Sequence, residues 1–550
     1  MSTPFEISDR FTDQWADLTP IDATTVGVAG RDHLWDDLSP AGEAARCEQA
    51  RATMAELAGH LGQGDPEQAT AAKVLTGWAE KKVALHEQGK WKYDINHIYS
   101  PFQRMRDTFD VMPKEGAEAW SNVAVRLQTL AQPLDGYRRS LAVGLDEGVT
   151  AARRQVEAVL EQVRAAAAPD SRFAEFPRQA AISGGDPERV GAAVDAARAA
   201  CADFGDWLET EYLPRATPED AIGEERYVAA ADTYLGMVID PHETYEWGWS
   251  EVHRLRAEMK ATAAAIDESM SIEEVIELLD TDPARSSEDH ASFAEFVQEI
   301  QDTAVSQLNG THFDVPPQLR TVTVNIAPPG GSLGAWYHGP SEDFSRAGSI
   351  WYAPGERVRI PYWGEVSTAY HEGFPGHHLQ IGIALINRER ISRFQRMFIW
   401  YSGAGEGWAL YAERLMDELG YFEKPEYRLG LIASQLFRSV RVVLDIGVQL
   451  GLAIPVDAPM HAGETWDYDK AVDYIEQIGY QARDMAESEV KRYLGWYGQA
   501  ISYKVGEREI LDIREGAMAR LGAGFDRKDF HRRMLEAGAI RLDHLREAMA

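Results

Sequence analysis

The segment Tyr370-His371-Glu372-Gly373-Phe374-Pro375-Gly376-His377-His378 places three histidines and one carboxylate within eight residues, where a helical hydropathy pattern begins. In the related zinc motif HExxH, two histidines one helical turn apart bind one ion, and the adjacent glutamate activates a water molecule. Here Pro375 stands four residues after His371, so the spacing of that motif is not met. The segment is therefore a variant, and its backbone has to explain how the histidines could converge.

Pro375 predicts a distortion of the helix that carries this segment. A proline removes one backbone hydrogen bond and crowds the carbonyl four residues earlier, which here belongs to His371. We expect a bulge in which the two glycines of the segment adopt unusual backbone angles. Such a bulge would make His371 and His377 the metal ligands. His378 is the alternative for the second position and otherwise a candidate for contact with substrate.

A third ligand is expected from Ser402-Gly403-Ala404-Gly405-Glu406-Gly407-Trp408-Ala409, where glycines surround one carboxylate at the start of another helical pattern. Two histidines, Glu406 and a water would complete a tetrahedral site for one Zn2+ per chain. Glu372 is then left beside the ion as a general acid and base. Glu413, two turns further on, could orient a ligand, although we predict an exposed surface glutamate there.

The composition restricts the partners of the chain. Its 550 residues carry a formal net charge of −33 at pH 7, without a strong Lys/Arg cluster, which argues against nucleic acid or an anionic membrane as a partner. A basic and apolar leader pattern and an apolar run of membrane-spanning length are both lacking, so we predict a cytoplasmic enzyme. The two cysteines predict buried thiols rather than a disulfide framework.

Most of the chain predicts helix. Apolar residues recur at three- and four-residue steps from about residue 40 onward, whereas residues 1 to 40 look irregular. Ser271-Ile272-Glu273-Glu274 fits a capping box at the start of a helix. The hydropathy period changes after Phe313, so we divide the chain into a mostly helical N-terminal lobe, 1–313, and a catalytic lobe, 314–550. In the first lobe no residue demands a chemical role.

The beginning of the second lobe predicts strands. Val322, Val324 and Ile326 alternate with polar residues, a strand that Pro328-Pro329-Gly330-Gly331 would end, and the aromatic run 349–352 predicts another. Two or three strands would form a small sheet next to the metal-binding helix. An edge strand there could bind an extended peptide by strand addition. A hairpin that only covers the core is an equally good interpretation.

The stretch Gly498-Gln499-Ala500-Ile501-Ser502-Tyr503-Lys504-Val505-Gly506 contains the remaining candidates. Tyr503 is predicted to donate a hydrogen bond to the oxyanion that develops during hydrolysis. On an earlier helix Arg438 and Arg441 could bind a substrate carboxylate, with a surface or ion-pair role as the competing interpretation. The other polar candidates for holding a terminal carboxylate or the peptide backbone are Lys504, Arg492 and Gln499.

Three motifs together carry a family resemblance: the segments 371–378, 406–411 and 498–506. They resemble the bacterial domain-of-unknown-function family number 885 over nearly the whole chain. That family is regarded as metallopeptidase-like, similar in outline to mostly helical gluzincins such as carboxypeptidase Taq, thimet oligopeptidase and angiotensin-converting enzyme. The resemblance implies a mainly α, two-lobed metallopeptidase-like fold with a deep cleft that admits short peptides.

The expected function is that of a zinc-dependent metallopeptidase, a carboxypeptidase or dipeptidase for short peptides, in which Glu372 activates the attacking water. The alternatives are a metal-dependent hydrolase of non-peptide amides, a catalytically inactive peptide-binding protein, and a helical iron oxygenase that uses the same ligands. Against a di-iron carboxylate protein, the sequence has no Glu-x-x-His pair, the usual helical ligand pattern of that class.

Overall fold

The computed structural model of the chain describes residues 2–62, 64–327, 334–341, 344 and 346–550. Within them the protein is mainly α-helical with one three-stranded sheet, which confirms the predicted fold class at that level. A two-lobed metallopeptidase-like fold with a deep cleft stays a prediction. No helix in the described ranges combines the length and the apolar character that crossing a membrane requires.

Contacts along the chain divide it into two units. The first contains residues up to Ile222 together with Ser392–Phe398 and Lys491–Trp496. The second contains Gly223–Ile391, Ile399–Val490 and Tyr497–Ala550. The boundary drawn at residue 313 lies inside the second unit, and a division of roles between 1–313 and 314–550 stays a prediction.

Many of the N-terminal helices begin with proline, which fits a first turn because its missing N–H is not needed there. The α-helices of this part of the chain, whether or not proline begins them, are α1 (Pro4–Leu18), α2 (Pro20–Val26), α3 (Pro40–Leu57), α4 (Pro66–Glu87), α5 (Pro101–Val111), α6 (Gly116–Thr129), α7 (Ala131–Glu147), α8 (Arg153–Ala167), α9 (Phe176–Ile182) and α10 (Pro187–Trp207).

The first helix corrects the prediction that residues 1 to 40 are irregular, because α1 and α2 occupy much of that range. A capping box starts α1: Thr3 N donates to Glu6 Oε2 at 2.8 Å, and Glu6 N donates to Thr3 Oγ1 at 3.3 Å. Ile7, Phe11 and Trp15 follow at four-residue steps and are all buried. This apolar face outweighs the acidic and turn-forming residues that dominate the composition there.

Helix α10 shows how the core of the first unit forms. Val190, Val194, Ala197, Cys201 and Phe204 recur at three- and four-residue steps and are buried, and α10 packs against α6 and α8. Complete burial of each large apolar side chain contributes about 1.5–3 kcal/mol. Both cysteines of the chain are buried free thiols, as predicted.

Four helices precede the sheet in the second unit: α11 (Glu224–Leu235), α12 (Pro241–Ile266), α13 (Ile272–Thr281) and α14 (His290–Leu308). The capping box predicted for α13 is confirmed. Glu274 N donates to Ser271 Oγ at 3.2 Å, and Ser271 N donates to Glu274 Oε2 at 2.7 Å. The signal was readable from sequence because both partners lie within four consecutive residues.

The sheet contains β1 (Thr323–Ile326), β2 (Gly334–His338) and β3 (Ser349–Ala353) in the order β1-β3-β2. Strand β3 pairs in parallel with β1 and antiparallel with β2. Both predicted strands are confirmed, and β2 is the third. The buried face packs on α14, where the Phe293 and Tyr352 rings meet edge to face at 4.9 Å. The turn predicted at 328–331 lies outside the described residues.

The C-terminal helices include those that carry the predicted site. They are α15 (Glu365–Glu372), α16 (His377–Ile386), α17 (Arg393–Phe398), α18 (Ser402–Glu418), α19 (Pro425–Leu450), α20 (Tyr468–Gln477), α21 (Arg483–Gly495), α22 (Ser502–Leu521), α23 (Arg527–Ala537) and α24 (Leu542–Met549).

Glycines allow α18 and α22 to pack backbone against backbone. A Cβ atom added at Gly407 would lie 2.4 Å from the carbonyl carbon of Gly506, and one at Gly506 would lie 2.0 Å from the carbonyl oxygen of Gly403. Any larger side chain would separate the two helices. The glycine-rich segment around residue 406 and the 498–506 segment are therefore neighbours in the fold.

Candidate metal site

The backbone breaks completely between the two predicted histidine ligands. Helix α15 ends at Glu372 and α16 begins at His377, with a cis Phe374–Pro375 peptide in the turn between them. A Cβ atom at Gly376 would lie 2.0 Å from the carbonyl oxygen of His371, so the turn is as tight as a glycine permits. The predicted interruption is confirmed, and Gly373 (φ −91°, ψ −140°) and Gly376 (φ −74°, ψ −126°) adopt the unusual backbone angles expected of them. Its form differs from a bulge, because the chain here makes two helices joined by a tight turn.

Two side chains from other helices hold this turn. Gln301 of α14 is buried; its Oε1 accepts from Phe374 N at 2.7 Å, and its Nε2 donates to the Ala369 carbonyl at 2.8 Å. Trp408 Nε1 of α18 donates to the Pro375 carbonyl at 3.0 Å. Sequence reasoning assigned no role to Gln301, because a buried glutamine within a helical pattern looks like any other polar residue.

The turn brings the three predicted metal ligands together. His371 Nε2 lies 3.3 Å, and His377 Nε2 lies 3.4 Å, from Glu406 Oε2, and one ligand atom from each residue lies within 4.8 Å of the others. Three donors at about 2.0–2.1 Å from a zinc ion in tetrahedral geometry are roughly 3.4 Å apart. The donor types and their spacing therefore fit one zinc ion.

Glu413 is the main correction to the predicted site. It is completely buried rather than exposed; its Oε1 lies 2.7 Å from His371 Nδ1, and its other oxygen accepts from Ser367 Oγ. It lies seven positions after Glu406, so two turns of α18 place both carboxylates on one face. A carboxylate behind a histidine fixes the ring and makes the opposite nitrogen a better metal ligand.

The cluster stabilises positive charge. Burial alone would lower the pKa of His371, but its hydrogen bonds to Glu406 and Glu413 raise that pKa to about 9. Burial would raise the pKa of Glu406, but His377 and His371 hold it well below its usual range. Arg438 and His371 likewise outweigh burial and lower the pKa of Glu413. Ionised carboxylates around two imidazole nitrogens form a suitable environment for a divalent cation.

Glu372 titrates differently from the other two carboxylates. Burial raises its pKa, and the neighbouring His371 and His377 only partly oppose that shift. Its carboxylate is therefore close enough to both histidines to interact with their charge. A raised carboxyl pKa suits a group that must accept a proton and then release it.

Replacing Glu413 by glutamine should weaken metal binding by about 10- to 100-fold, because the neutral amide no longer polarises His371. Competition with a chromogenic chelator measures the affinity. Glu418→Gln is the matched control, because that glutamate is exposed on the same helix and pairs with Arg514. An equal loss in both variants, or no loss in Glu413→Gln, would contradict the role assigned to Glu413.

His378 points both ring nitrogens away from the cluster. Its Nδ1 lies 2.9 Å from the Tyr337 hydroxyl of β2, and its Nε2 lies 2.9 Å from the Leu319 carbonyl. Burial lowers its pKa to about 4, so the ring is neutral near pH 7. This geometry favours His377 as the second ligand, and it leaves His378 without a ring nitrogen for a substrate contact.

Tyr503 lies beside the cluster. Its ring stacks on that of His371 with a centroid distance of 6.4 Å and an interplanar angle of 16°. The guanidinium groups of Arg438 and Arg441 lie 5.6 Å and 5.1 Å from the same ring. This placement is compatible with a hydrogen bond from Tyr503 to a developing oxyanion, and that role stays a prediction.

Lys504 is bound inside the protein. Its Nζ lies 2.8 Å from Gln435 Oε1, 2.6 Å from Glu507 Oε2 and 3.3 Å from Glu251 Oε2, and the side chain is buried. An ammonium group has three donors, and these partners use all of them. The contacts therefore give no support to the predicted binding of a substrate carboxylate by Lys504.

The last two predicted substrate residues lie elsewhere. Gln499 is buried, and its backbone carbonyl accepts from Ser502 N at 3.1 Å at the start of α22. Arg492 belongs to the first unit, where its guanidinium lies 5.9 Å from the Trp496 ring. These positions do not test the predicted contacts of Gln499 and Arg492 with substrate, which stay predictions.

Fold and site together define a mainly helical protein with a His-His-Glu group, both histidines buried and the glutamate largely so, that is suited to one metal ion. The chain belongs to the family described as Bacterial protein of unknown function (DUF885), whose model matches residues 20–549. The family predicted from the three motifs is thus confirmed. A search of the curated proteins finds no match.

Two solved structures described as "putative lipoprotein" share the fold. One, from Colwellia psychrerythraea, is 22% identical with a TM-score of 0.84, over 99% of this chain and 98% of that chain. The other, from Shewanella oneidensis and described as of unknown function, is 18% identical with a TM-score of 0.76, over 100% of both chains. Identities this low indicate similarity of fold alone.

Proposed function

We propose that this protein is a zinc-dependent metallopeptidase that hydrolyses short peptides, as a carboxypeptidase or dipeptidase. The observation that carries the proposal is the convergence of His371, His377 and Glu406 within 4.8 Å. Glu372 directly follows the first of these ligands in sequence, and Glu413 supports that ligand from behind. This combination supplies a metal site, a proton acceptor and an orienting carboxylate.

Two side chains would carry out the remaining chemistry. When bound, zinc would supply a Lewis acid that polarises the scissile carbonyl and acidifies water. Glu372 would accept a proton from the attacking water and pass it to the leaving amine. Tyr503 would donate a hydrogen bond to the oxyanion, which stabilises the transition state more than the bound peptide.

The surroundings of the cluster support a peptide as the substrate. Among the described strands β2 pairs with β3 alone, and its Tyr337 contacts His378 at the start of α16. An extended peptide can add to such an edge through main-chain hydrogen bonds. The Trp400 side chain, 43% exposed, lies 5.7 Å from the His377 ring and offers apolar surface to a substrate residue.

We also propose a cytoplasmic location and no nucleic-acid or membrane partner. The formal net charge of −33 supports the absence of those partners, because polyanions repel such a surface. Because the two similar structures are described as "putative lipoprotein", the direct test of location is fractionation of cells that produce the native protein. Recovery in a membrane fraction would refute the proposal of location and leave the chemistry of the cluster untouched.

Elemental analysis of protein purified without added metal tests the site. We expect about one zinc ion per chain, lost in His371→Ala, His377→Ala and Glu406→Ala. His378→Ala is the matched control and should keep the metal, because its ring nitrogens bind Tyr337 and Leu319. A parent protein without stoichiometric metal, even after zinc is supplied, would refute the proposal.

A substrate panel tests the reaction. The metal-loaded protein should release amino acids or dipeptides from short peptides of two to five residues, detected by mass spectrometry. Acyl anilides and other non-peptide amides form the comparison set. Preferred hydrolysis of that set would replace the peptidase proposal with a metal-dependent amide hydrolase.

A further inference from the structure

Arg438 on α19 is a largely buried cation that makes no hydrogen bond to the residues that the structure describes. Its side chain is 15% exposed, and Nη2 lies 3.7 Å from Glu413 Oε1, beyond hydrogen-bond length. Its Nε is buried and has no hydrogen-bond partner among the described residues. A guanidinium has five N–H donors, and leaving donors of a charged group unsatisfied in the interior is costly. The donors of Arg438 are therefore available to an acceptor that a ligand supplies.

Glu413 does not fill that need. It already accepts hydrogen bonds from His371 Nδ1 and Ser367 Oγ. The negative charge of Glu413 compensates that of Arg438 at 3.7 Å, which explains why a largely buried cation is tolerated. The planar donor edge of the guanidinium is still without a hydrogen-bond acceptor among the described residues. A bidentate carboxylate is the acceptor that fits this edge best.

The other cations next to the cluster are differently bound. Arg441 donates to Glu489 at 3.1 Å, and Lys504 contacts three side-chain oxygens. Of these three cations only Arg438 makes no hydrogen bond within the described ranges. The sequence could not distinguish Arg438 from Arg441 as the carboxylate-binding residue, and their hydrogen-bond partners do.

Arg438 lies on the Glu413 side of His371, the side of the ring nitrogen that does not face Glu406. The same oxygen, Glu413 Oε1, lies 2.7 Å from His371 Nδ1 and 3.7 Å from Arg438 Nη2. Both side chains also flank the Tyr503 ring. The C-terminal carboxylate of a peptide and its last peptide carbonyl are one residue apart, about 3.8 Å between consecutive Cα atoms. The guanidinium, 5.6 Å from the Tyr503 ring, is thus next to the residue predicted to bind the oxyanion of that peptide bond.

We propose that Arg438 binds the C-terminal carboxylate of the substrate and so directs hydrolysis to the last peptide bond. Water adds across that bond, and a free amino acid leaves. The inference rests on the proposed function for the identity of the ligand, a peptide. It assigns the cleavage end, which neither the metal ligands nor Glu372 determines.

Calorimetric binding to the Glu372→Gln protein tests the inference without turnover. The probes are N-acetylleucine and N-acetylphenylalanine and their C-terminal amides. We expect the carboxylates to bind about 10- to 100-fold more tightly than the amides, the usual effect of a hydrogen bond to a charged group. Adding Arg438→Gln should abolish this preference, and adding Arg438→Lys should retain part of it.

Arg441→Lys in the same background is the matched control and should retain the preference, because Arg441 is held by Glu489. A preference that survives Arg438→Gln, or its absence in the parent, overturns the inference. Peptide acids and peptide amides hydrolysed equally well would overturn it too and leave the proposed function standing. Carboxylate binding through Arg438 in a protein that hydrolyses no peptide supports the binding site and refutes the proposed catalysis.

Discussion

Replacing Glu372 by glutamine should lower kcat/KM for peptide hydrolysis by about 10²- to 10⁴-fold, the usual contribution of a general acid and base. The amide has nearly the shape of the carboxylate but cannot accept a proton from water. His371, His377 and Glu406 are untouched, so about one metal ion per chain should remain. Steady-state kinetics on one peptide and elemental analysis of the same preparation measure both expectations.

Glu365→Gln is the matched control for that experiment. Glu365 lies two turns earlier on α15, about 10 Å along the helix axis, and burial raises its pKa to about 7. Near neutral pH it is therefore often protonated, and glutamine should replace it with little effect on turnover. Equal inactivation of both variants, or loss of metal from Glu372→Gln, would refute the role assigned to Glu372.

Local signals in the sequence predicted the elements around the site. The alternation of apolar and polar residues marked β1, the four-residue capping box marked α13, and Pro375 marked the interruption between α15 and α16. Each of these signals has its cause within a few residues, so one chain without relatives suffices to read it. The form of the interruption, two helices rather than one bulged helix, depends on Gln301 and Trp408 and could not be read locally.

Residues that gain their role from distant partners were missed. Glu413 meets His371 across 42 positions of sequence, Gln301 meets Ala369 across 68, and Lys504 meets Gln435 across 69. A polar residue in a helical pattern gives no sign of whether it faces solvent or a buried partner. Burial follows from tertiary packing, so an exposed glutamate and a substrate-binding lysine were reasonable predictions from the sequence alone.

Replacing Lys504 by methionine should lower the free energy of unfolding by about 3 kcal/mol, the lower end of the range for breaking a buried ion pair. Methionine keeps the length and apolar character of the side chain, so the loss reports the charge. Glu507 would remain buried with Arg414 as a partner at 2.9 Å, which limits the cost. Urea denaturation followed by tryptophan fluorescence measures the change.

Lys528→Met is the matched control, because Lys528 pairs with Asp314 at the surface and such pairs contribute about 0–1 kcal/mol. The comparison also separates the two interpretations of Lys504. If Lys504→Met has the same free energy of unfolding as the parent but binds the carboxylate probes more weakly, Lys504 contacts substrate. The assignment of the carboxylate site to Arg438 would then be wrong. If stability falls and the carboxylate preference is unchanged, the ammonium holds α22 to α12 and α19, and the carboxylate site belongs to Arg438.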